Sequence, residues 1–503
     1  MTKRSGSLLV LGTSSGAGKS TVVTGICRWL RRQRISVAPF KAQNMSLNSY
    51  VTNDGGEMGR AQVVQAQAAG VEPEVIMNPV LLKPGTDRTS QLIVLGHPVG
   101  DLDATKDWHG KESLLDVVVD SYRELKGRFD VVICEGAGSP AEINLRKSDI
   151  VNLGFARAAN VPALLVGDID RGGVFASFVG TLAVLEPGDQ LLIRGFIVNK
   201  FRGSVGLLQP GLAQLADLTG RSTLGVLPFR RGLELDAEDA TDFSSWLDVA
   251  SPLGDDILSI GVLAFPRASN LTDFDPLVDE PGVVLRPITR PEEMETCDLV
   301  ILPGTRATAS DLAWLRERGF AGALLERAAR GRSVLGLCGG YQMLGEIIDD
   351  EVEGAVGRID GLGLLPVHTE FKSEKVLTRT RAVLQDGSTL EGYEIHHGRV
   401  HVEGGDALFA DEGCIVGSVG GTLWHGLFEN DAWRREFLVK VADTAGKHFV
   451  PDVAHDFAIR REARIDVLAD LIDEHVDTDA LWRIIEGDDT VLPTLTMTRQ
   501  LGA

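Results

Sequence analysis

The fold of the N-terminal half is decided by the stretch Ser7-Leu-Leu-Val-Leu-Gly-Thr-Ser-Ser-Gly-Ala-Gly-Lys-Ser-Thr21. A short apolar run, Ser7–Leu11, comes first, a glycine-rich loop follows, and a helical pattern, Ser20–Arg32, begins where the loop ends. In this order the backbone N–H groups of the loop converge on phosphate oxygens at the helix N-terminus. The loop is one residue longer than that of the usual P-loop. The stretch predicts a phosphate-binding loop, with a ligand-free strand-to-helix turn as the alternative.

Residues of this loop, and residues that follow two later strands, are the predicted nucleotide contacts. Lys19 would neutralise the β- and γ-phosphates of ATP, and the Ser20 hydroxyl would bind Mg²⁺. Asn199 and Lys200 could contact the base and Pro228 could pack on it, although a structural turn explains each of these three equally well. The predicted ATP-binding set is Gly12, Thr13, Gly16, Ala17, Gly18, Lys19, Ser20, Thr21, Asn199, Lys200 and Pro228.

A magnesium ion needs carboxylates in addition to one hydroxyl. Glu135 ends an apolar strand and precedes Gly-Ala-Gly, where a Walker-B-type acid belongs, because open α/β sheets bind ligands at the carboxyl ends of strands. Asp54 is a weaker candidate, and an ordinary turn aspartate is the equal alternative. Lys41 follows the second strand and could bind a substrate carboxylate or the transferred phosphoryl group, with a solvated lysine as the alternative.

The first half of the chain alternates short apolar runs with helical patterns. Near-continuous apolar strands separated by helices are typical of a parallel sheet that is covered on both faces, so the sequence predicts an α/β fold. The predicted strands are Ser7–Leu11, Ile35–Phe40, Phe129–Cys134, Pro162–Gly167, Leu191–Val198 and Leu224–Leu227, and the predicted helices are Ser20–Arg32, Met58–Ala69, Lys111–Arg128 and Val174–Leu185.

A second α/β alternation follows an acidic segment, Arg230 to Asp242, that lacks apolar periodicity. We expect a P-loop ATP-binding domain at 1–235, a linker at 236–255, a second α/β domain at 256–450 and a helical C-terminal tail at 451–503. In the second domain the predicted strands are Ile257–Ala264, Leu299–Leu302 and Ser333–Leu337, the predicted helix is Asp311–Arg330, and added strands and loops occupy 352–421.

The second domain contains a candidate nucleophile in Val334-Leu-Gly-Leu-Cys-Gly-Gly340. Small neighbours permit the strained turn that lifts a side chain above the sheet, and the following helix N-terminus would favour the thiolate of Cys338. A small core cysteine is the alternative. A thiolate nucleophile needs a base. His425, in Trp-His-Gly, is the first choice, and His396 and His397 compete with it. Gly304 and Gly339 could supply the N–H groups of an oxyanion hole.

The composition excludes several classes of protein. The formal net charge of -21 argues against nucleic-acid binding, which needs a basic face. No apolar stretch approaches the length of a membrane span, and the five scattered cysteines form no C-x-x-C pair. We therefore expect a cytoplasmic protein with reduced thiols, a small-molecule substrate, no membrane or nucleic-acid partner, and a possible homo-oligomeric state.

The motifs around Cys338 and His425 resemble those of class I glutamine amidotransferases. Members usually carry a glutamate two residues after the histidine, where this chain has Leu427, so the site resembles the Cys–His dyad branch, and Glu429 should not be assumed to complete a triad. Joined to a nucleotide domain of the dethiobiotin synthetase type, the order resembles the corrinoid amidases of cobalamin synthesis, and among them the cobyric acid synthase family. The stretches that carry this likeness are Lys41-Ala-Gln-Asn-Met-Ser-Leu-Asn-Ser-Tyr50, Glu57-Met-Gly-Arg-Ala-Gln62, Met77-Asn-Pro-Val-Leu-Leu-Lys-Pro84, Glu135-Gly-Ala-Gly-Ser-Pro-Ala-Glu-Ile-Asn-Leu145, Gly167-Asp-Ile-Asp-Arg-Gly-Gly-Val-Phe175 and Gly392-Tyr-Glu-Ile-His396.

This resemblance implies an amidoligase that uses ATP, Mg²⁺ and L-glutamine. The implied reaction amidates the b, d, e and g carboxylates of adenosylcobyrinic acid a,c-diamide, through an acyl phosphate and ammonia from glutamine, to give adenosylcobyric acid. Lys41 and Asn44 are then expected to contact the substrate. The related a,c-diamide synthase, with an acidic segment near Lys41, and a cell-wall lipid II amidase are alternatives. A nucleotide-switch protein with a vestigial amidotransferase half is another.

Overall fold

The computed structural model describes residues 4–85, 89–103, 111–230, 232–233, 246 and 251–495. The first half is built on a six-stranded, fully parallel sheet, which confirms the α/β prediction. Leu8 and Val10 of its first strand face one hydrophobic cluster, and Leu9 and Leu11 face another, because successive side chains of a strand alternate between faces. In spatial order the strands are Thr223–Pro228, Ile193–Phe201, Ala163–Asp168, Gly6–Gly12, Val131–Glu135 and Val37–Phe40.

Helices and two smaller sheets complete this half. The predicted helix Met58–Ala69 begins later than expected, at Arg60, because Gly59 is extended and belongs to a short strand. The α-helices are Lys19–Arg32, Arg60–Ala69, Lys111–Arg128, Leu153–Ala159, Val174–Val184, Pro187–Gln190 and Gln209–Thr219. The small sheets consist of Gln43–Met45, Val80–Pro84, Thr89–Val94 and His97–Asp103, and of the hairpin Ser49–Val51 with Glu57–Gly59.

The second half has its own six-stranded sheet, parallel except at one edge, where the last strand pairs antiparallel. Its strands in spatial order are Val283–Ile288, Leu258–Leu263, Leu299–Leu302, Ser333–Leu337, Val419–Thr422 and Cys414–Val416. A second sheet holds Gly357–Asp360, Ile347–Asp350 and the long hairpin Val367–Val383 with Thr389–Val402, and a two-stranded ladder joins Ala268–Ser269 to Gly304–Thr305.

The expected helix Asp311–Arg330 is wrong as a single element. It consists of two helices, because Gly319 adopts a left-handed conformation with φ of 82° and ends the first of them. The α-helices of this half and the tail are Asp275–Asp279, Thr308–Glu317, Phe320–Ala329, Gly339–Leu344, Asp431–Ala445, Phe457–His475 and Thr478–Ile485. The predicted linker at 236–255 lies outside the described residues except for 246 and 251–255, and 496–503 of the predicted tail also lie outside them.

The helical tail packs on the first domain, although it follows the second domain in sequence. Helix Phe457–His475 lies against helix Lys19–Arg32, where Trp29 Nε1 donates to Asp473 Oδ1 at 3.0 Å. The residues that it and the last helix bury in the core of the first domain include Ile465, Leu468, Ile472, Leu481 and Trp482. The tail thus covers one face of the parallel sheet. No helix in the described part of the chain is both long and apolar enough to cross a membrane.

Candidate active sites

The phosphate loop closes tightly on the start of its helix. Gly18 caps the helix with φ of 92°, a left-handed conformation that favours glycine, and a side chain there would collide with Asn199 Nδ2. The buried Lys19 folds back across the loop, and its Nζ donates to the carbonyl oxygens of Ser14 and Ser15, each at 3.2 Å, and of Gly138 at 3.1 Å. The lysine ammonium therefore lies within the loop, where phosphate oxygens would bind.

Glu135 is the centre of a buried cluster at the carboxyl ends of the strands. Its Oε1 accepts hydrogen bonds from Ser20 Oγ and Lys41 Nζ, each at 2.9 Å, and its Oε2 accepts one from Gln65 Nε2. Burial would raise the pKa of Glu135, but the Lys41 ammonium, with help from Lys19 and Gln65, holds this pKa below its ordinary value. The structure thus brings together Lys19, Ser20, Lys41 and Glu135, which the sequence predicted separately.

This cluster suits Mg²⁺, which proteins commonly hold through one or two carboxylates together with phosphate oxygens and water. The Ser20 hydroxyl and the Glu135 carboxylate would supply the protein's ligands. Over the described ranges no group of three or more His, Cys, Asp or Glu side chains could hold a metal ion. Asp54 lies elsewhere, in the exposed turn of the hairpin between Ser49–Val51 and Glu57–Gly59, and none of the described contacts joins it to the phosphate loop.

The residues predicted to contact the base line one side of the loop. Asn199 Nδ2 donates to Ala17 O at 2.9 Å, and Lys200 Nζ donates to Gly16 O at 2.8 Å. Pro228 and Thr21 join them around a cavity of about 100 Å³. Part of the apolar wall of this cavity comes from the C-terminal helix, through residues that no motif indicated: Leu468, Leu471 and Ile472.

A larger cavity, of about 590 Å³, opens on the other side of the loop. Ser15 and Lys19 of the phosphate loop line this cavity, and so do Met45 and Leu145, whose side chains are exposed. Asn44 also lines this cavity, and its Nδ2 donates to Gln62 Oε1 at 2.9 Å. The cavity therefore combines a charged end beside the phosphate loop with an apolar wall.

Cys338 occupies a strained turn between strand Ser333–Leu337 and helix Gly339–Leu344. Its φ of 48° and ψ of -110° are rare for a residue with a side chain and are typical of a nucleophile elbow. The turn needs a small neighbour, because a Cβ on Gly340 would lie 2.1 Å from Leu302 O. All five cysteines are free and buried. Cys338 lines a pocket together with His425.

His425 is held beside this thiol by an aspartate. Its Nδ1 lies 2.7 Å from Asp273 Oδ2, and the Gly426 N–H donates to Asp273 Oδ1 at 2.9 Å. Burial disfavours a charged imidazole, but the Asp273 carboxylate, together with a hydrogen bond to Cys338, raises the pKa of His425 to about 10. The arrangement is a Cys–His–Asp triad in which the acid orients the imidazole.

No motif in the sequence indicated Asp273, which precedes His425 by 152 residues. The Glu429 carboxylate pairs with Arg60 and with Arg461. The competing histidines have other partners: His396 Nε2 lies 2.8 Å from Glu394 Oε2, and His397 Nδ1 lies 3.0 Å from Lys372 O.

Backbone amides near Cys338 could stabilise an oxyanion. Gly339 directly follows Cys338 and lies close to the backbone of Thr305, since a Cβ added to Gly339 would be 3.2 Å from the Thr305 nitrogen. In the neighbouring antiparallel ladder Arg306 N–H donates to Arg267 O at 3.1 Å. In an antiparallel ladder every second residue pair is hydrogen-bonded. Gly304, which pairs with Ser269, therefore directs its N–H into the ladder, whereas the N–H of Thr305 points away from the partner strand. The geometry therefore favours Thr305 over Gly304 as the partner of Gly339.

Comparison with known proteins agrees with this division into two sites. Residues 8–241 match the CobQ/CobB/MinD/ParA nucleotide binding domain, and residues 259–433 match the CobB/CobQ-like glutamine amidotransferase domain. A cobyric acid synthase of Streptomyces coelicolor is 60% identical over 489 residues, which cover 96% of this chain and 97% of that protein. The same coverage holds for the Streptomyces avermitilis enzyme, at 58% identity over 490 residues. The Frankia casuarinae enzyme is 54% identical over 513 residues, with 97% and 98% covered. The chain therefore belongs to the cobyric acid synthase family of glutamine-dependent amidoligases.

Proposed function

We propose that this protein converts the b, d, e and g carboxylates of adenosylcobyrinic acid a,c-diamide to primary amides, with one ATP and one glutamine consumed for each. The observation that carries the proposal is the pairing, in one chain of this family, of the Cys338–His425–Asp273 triad with the cluster of Lys19, Ser20, Lys41 and Glu135. The triad suits ammonia release, and the cluster suits activation of an acid by ATP.

In the second domain the Cys338 thiolate attacks the side-chain amide carbon of glutamine. The oxyanion that forms accepts hydrogen bonds from the amides of Gly339 and Thr305. His425 gives its proton to the departing nitrogen, which releases ammonia and leaves a glutamyl thioester. His425 then takes a proton from water as the water attacks the thioester, which releases glutamate and restores the Cys338 thiolate beside a protonated His425. Asp273 keeps the imidazole in the orientation that both steps need.

In the first domain a carboxylate oxygen of the substrate attacks the γ-phosphorus of ATP. This step gives ADP and an acyl phosphate, whose carbonyl carbon has a good leaving group. Lys19 and Lys41 stabilise the negative charge of the transferred phosphoryl group, and a bound Mg²⁺ would neutralise phosphate oxygens. Ammonia then attacks the carbonyl carbon, loses a proton, and displaces inorganic phosphate to leave the amide.

The cavity of about 590 Å³ is the proposed site for the corrinoid acid. Its lining includes Ser15 and Lys19, where a peripheral carboxylate would meet the phosphate of ATP. The exposed side chains of Met45 and Leu145 would contact the apolar face of the ring. A cavity of this size suits one edge of a corrin. Such binding would let different edges of the ring enter in turn, as four successive amidations require.

The function is tested by mass spectrometry of the a,c-diamide after incubation with ATP, Mg²⁺ and glutamine. We expect four successive decreases of about one mass unit, because each hydroxyl is replaced by an amino group. Cobyrinic acid without amides and a lipid II acid serve as competing substrates. Preferential amidation of either one would contradict the proposed substrate, and ATP hydrolysis without any amide product would favour a nucleotide-switch function.

The role of Asp273 leads to a separate prediction for the variant Asp273→Asn. The neutral amide removes the charge that favours the imidazolium and can hold the imidazole in the wrong tautomer, so kcat for glutamine hydrolysis should fall about 100-fold or more. Its loss also lowers the pKa of His425 from about 10, so the alkaline limb of the pH–rate profile should move to lower pH. Amidation with free ammonia should not change. An unaltered rate and profile would show that Asp273 does not orient His425.

A further inference from the structure

A hairpin of the first domain touches the loop that carries Asp273. The Ser49 N–H donates to Asn270 Oδ1 at 2.9 Å, and the Leu271 N–H donates to Asn48 Oδ1 at 3.1 Å. Asn270 lies three residues before Asp273 and has a left-handed backbone, with φ of 53°. Both hydrogen bonds are buried, so they hold this turn in one position more firmly than exposed bonds would.

The same hairpin also reaches His425 through aromatic rings. The ring of Tyr50 lies edge-on to the ring of Tyr393, with centroids 5.0 Å apart. Tyr393 in turn stacks on the imidazole of His425 at 5.5 Å, and the two residues exchange backbone hydrogen bonds. The first domain thus supports the His425 imidazole in two ways, through the Tyr393 ring that stacks on its face and through the turn that carries Asp273.

Ion pairs across the two domains fix the hairpin in this position. Arg60, directly after the hairpin, pairs with Glu429 on the turn that follows His425. Glu57 is fully buried and pairs with Lys83 of its own domain at 2.6 Å and with Lys375 of the second domain at 2.5 Å. Substitution of Lys375 would leave the buried Glu57 with only one of its two partners, so this pair links the hairpin to the second domain.

We propose that the segment 48–60 of the first domain positions the glutaminase triad of the second domain. Asn48 and Ser49 act through the turn that carries Asp273, and Tyr50 acts through Tyr393. None of these residues needs to touch glutamine. The inference rests on the proposed glutaminase role of Cys338. It adds that ammonia release reaches its full rate only while this hairpin is docked, so the site that consumes ammonia is physically attached to the site that produces it.

The test compares three variants of the full-length protein by their rates of glutamine hydrolysis. In Asn48→Ala the acceptor for Leu271 N–H is lost, and we expect kcat to fall about tenfold with a smaller change in KM. Asn48→Asp keeps an acceptor oxygen and should recover most of this loss. The matched control is Asn53→Ala. Asn53 also bonds across the domains, to Arg379, but it lies at the exposed end of the hairpin, and its variant should hydrolyse glutamine like the unmodified protein.

Amidation with free ammonia separates the possible outcomes. The rate of this reaction should stay within about twofold in Asn48→Ala, because amidation with free ammonia does not need the glutaminase triad. An unaltered kcat for glutamine hydrolysis, an equal fall in Asn53→Ala, or a parallel loss of ammonia-dependent amidation would each overturn the proposal. Failure of the unmodified protein to amidate any corrinoid acid would contradict the proposed function instead, and glutamine hydrolysis would still decide the role of the hairpin.

Discussion

Replacement of Cys338 by alanine is expected to abolish glutamine hydrolysis and glutamine-dependent amidation. In the proposed mechanism the sulfur forms the thioester, and no other cysteine shares its strained turn, so the rate should fall by more than about 1,000-fold. Amidation with free ammonia should persist, because the ATP site is built from other elements. Glutamate release and amide formation are measured in parallel with each nitrogen donor.

The control for this variant is Cys414→Ala. Cys414 is also free and buried in the same half of the chain, but it lies on the edge strand of the sheet, so its variant should retain glutamine use. Normal activity of Cys338→Ala with glutamine would show that the nucleophile is assigned wrongly. Loss of the ammonia-dependent reaction as well would show that the two sites cannot work separately.

Replacement of Lys19 by methionine should impair amidation and leave glutamine hydrolysis intact. Methionine keeps the apolar stem but removes the ammonium that donates to Ser14, Ser15 and Gly138 and that would stabilise the phosphoryl group. Loss of one such electrostatic contact typically costs a factor of about 100–1,000 in rate, or about 3–4 kcal/mol. Amidation should therefore fall by this factor with glutamine and with ammonia alike, while glutamine hydrolysis continues.

The control is Lys126→Met. Lys126 is an exposed lysine of the same domain, and it lies on helix Lys111–Arg128 and not in the phosphate loop. Its amidation rate should match that of the unmodified protein. If Lys19→Met loses activity with glutamine but keeps it with ammonia, then Lys19 does not act on the phosphoryl group. Together with Cys338→Ala, these variants test whether one half of the chain makes ammonia and the other consumes it.

Local motifs predicted the parts of each site that lie within a few residues of one another. The phosphate loop and the nucleophile turn are short segments in which glycine, lysine, serine and cysteine must stand at set spacings for steric reasons. Their chemistry can therefore be inferred before any fold is known. Glu135 and Lys41 were also predicted, because each ends an apolar strand and parallel strands present such residues at one edge.

Contacts between distant segments could not be predicted in this way. Asp273 reaches His425 only because the turn at Asn270 is placed beside the end of another strand. Part of the apolar wall of the cavity of about 100 Å³ comes from Leu468, near the C-terminal end of the described chain, because the tail helix packs on helix Lys19–Arg32. The preference for Thr305 over Gly304 as an oxyanion-hole donor depends on which residues of a two-residue ladder form the hydrogen-bonded pair. Neither composition nor motif spacing indicates this register.

The amino-acid sequence by itself determined the α/β class and the family, and it predicted the phosphate loop and the thiol nucleophile from spacing within single segments. Only the tertiary structure decided which acid orients His425, where the tail helix packs, and how the hairpin at 48–60 meets the second domain. Those contacts join residues far apart in the chain, and they form only when each hydrophobic core has folded and the two halves have docked.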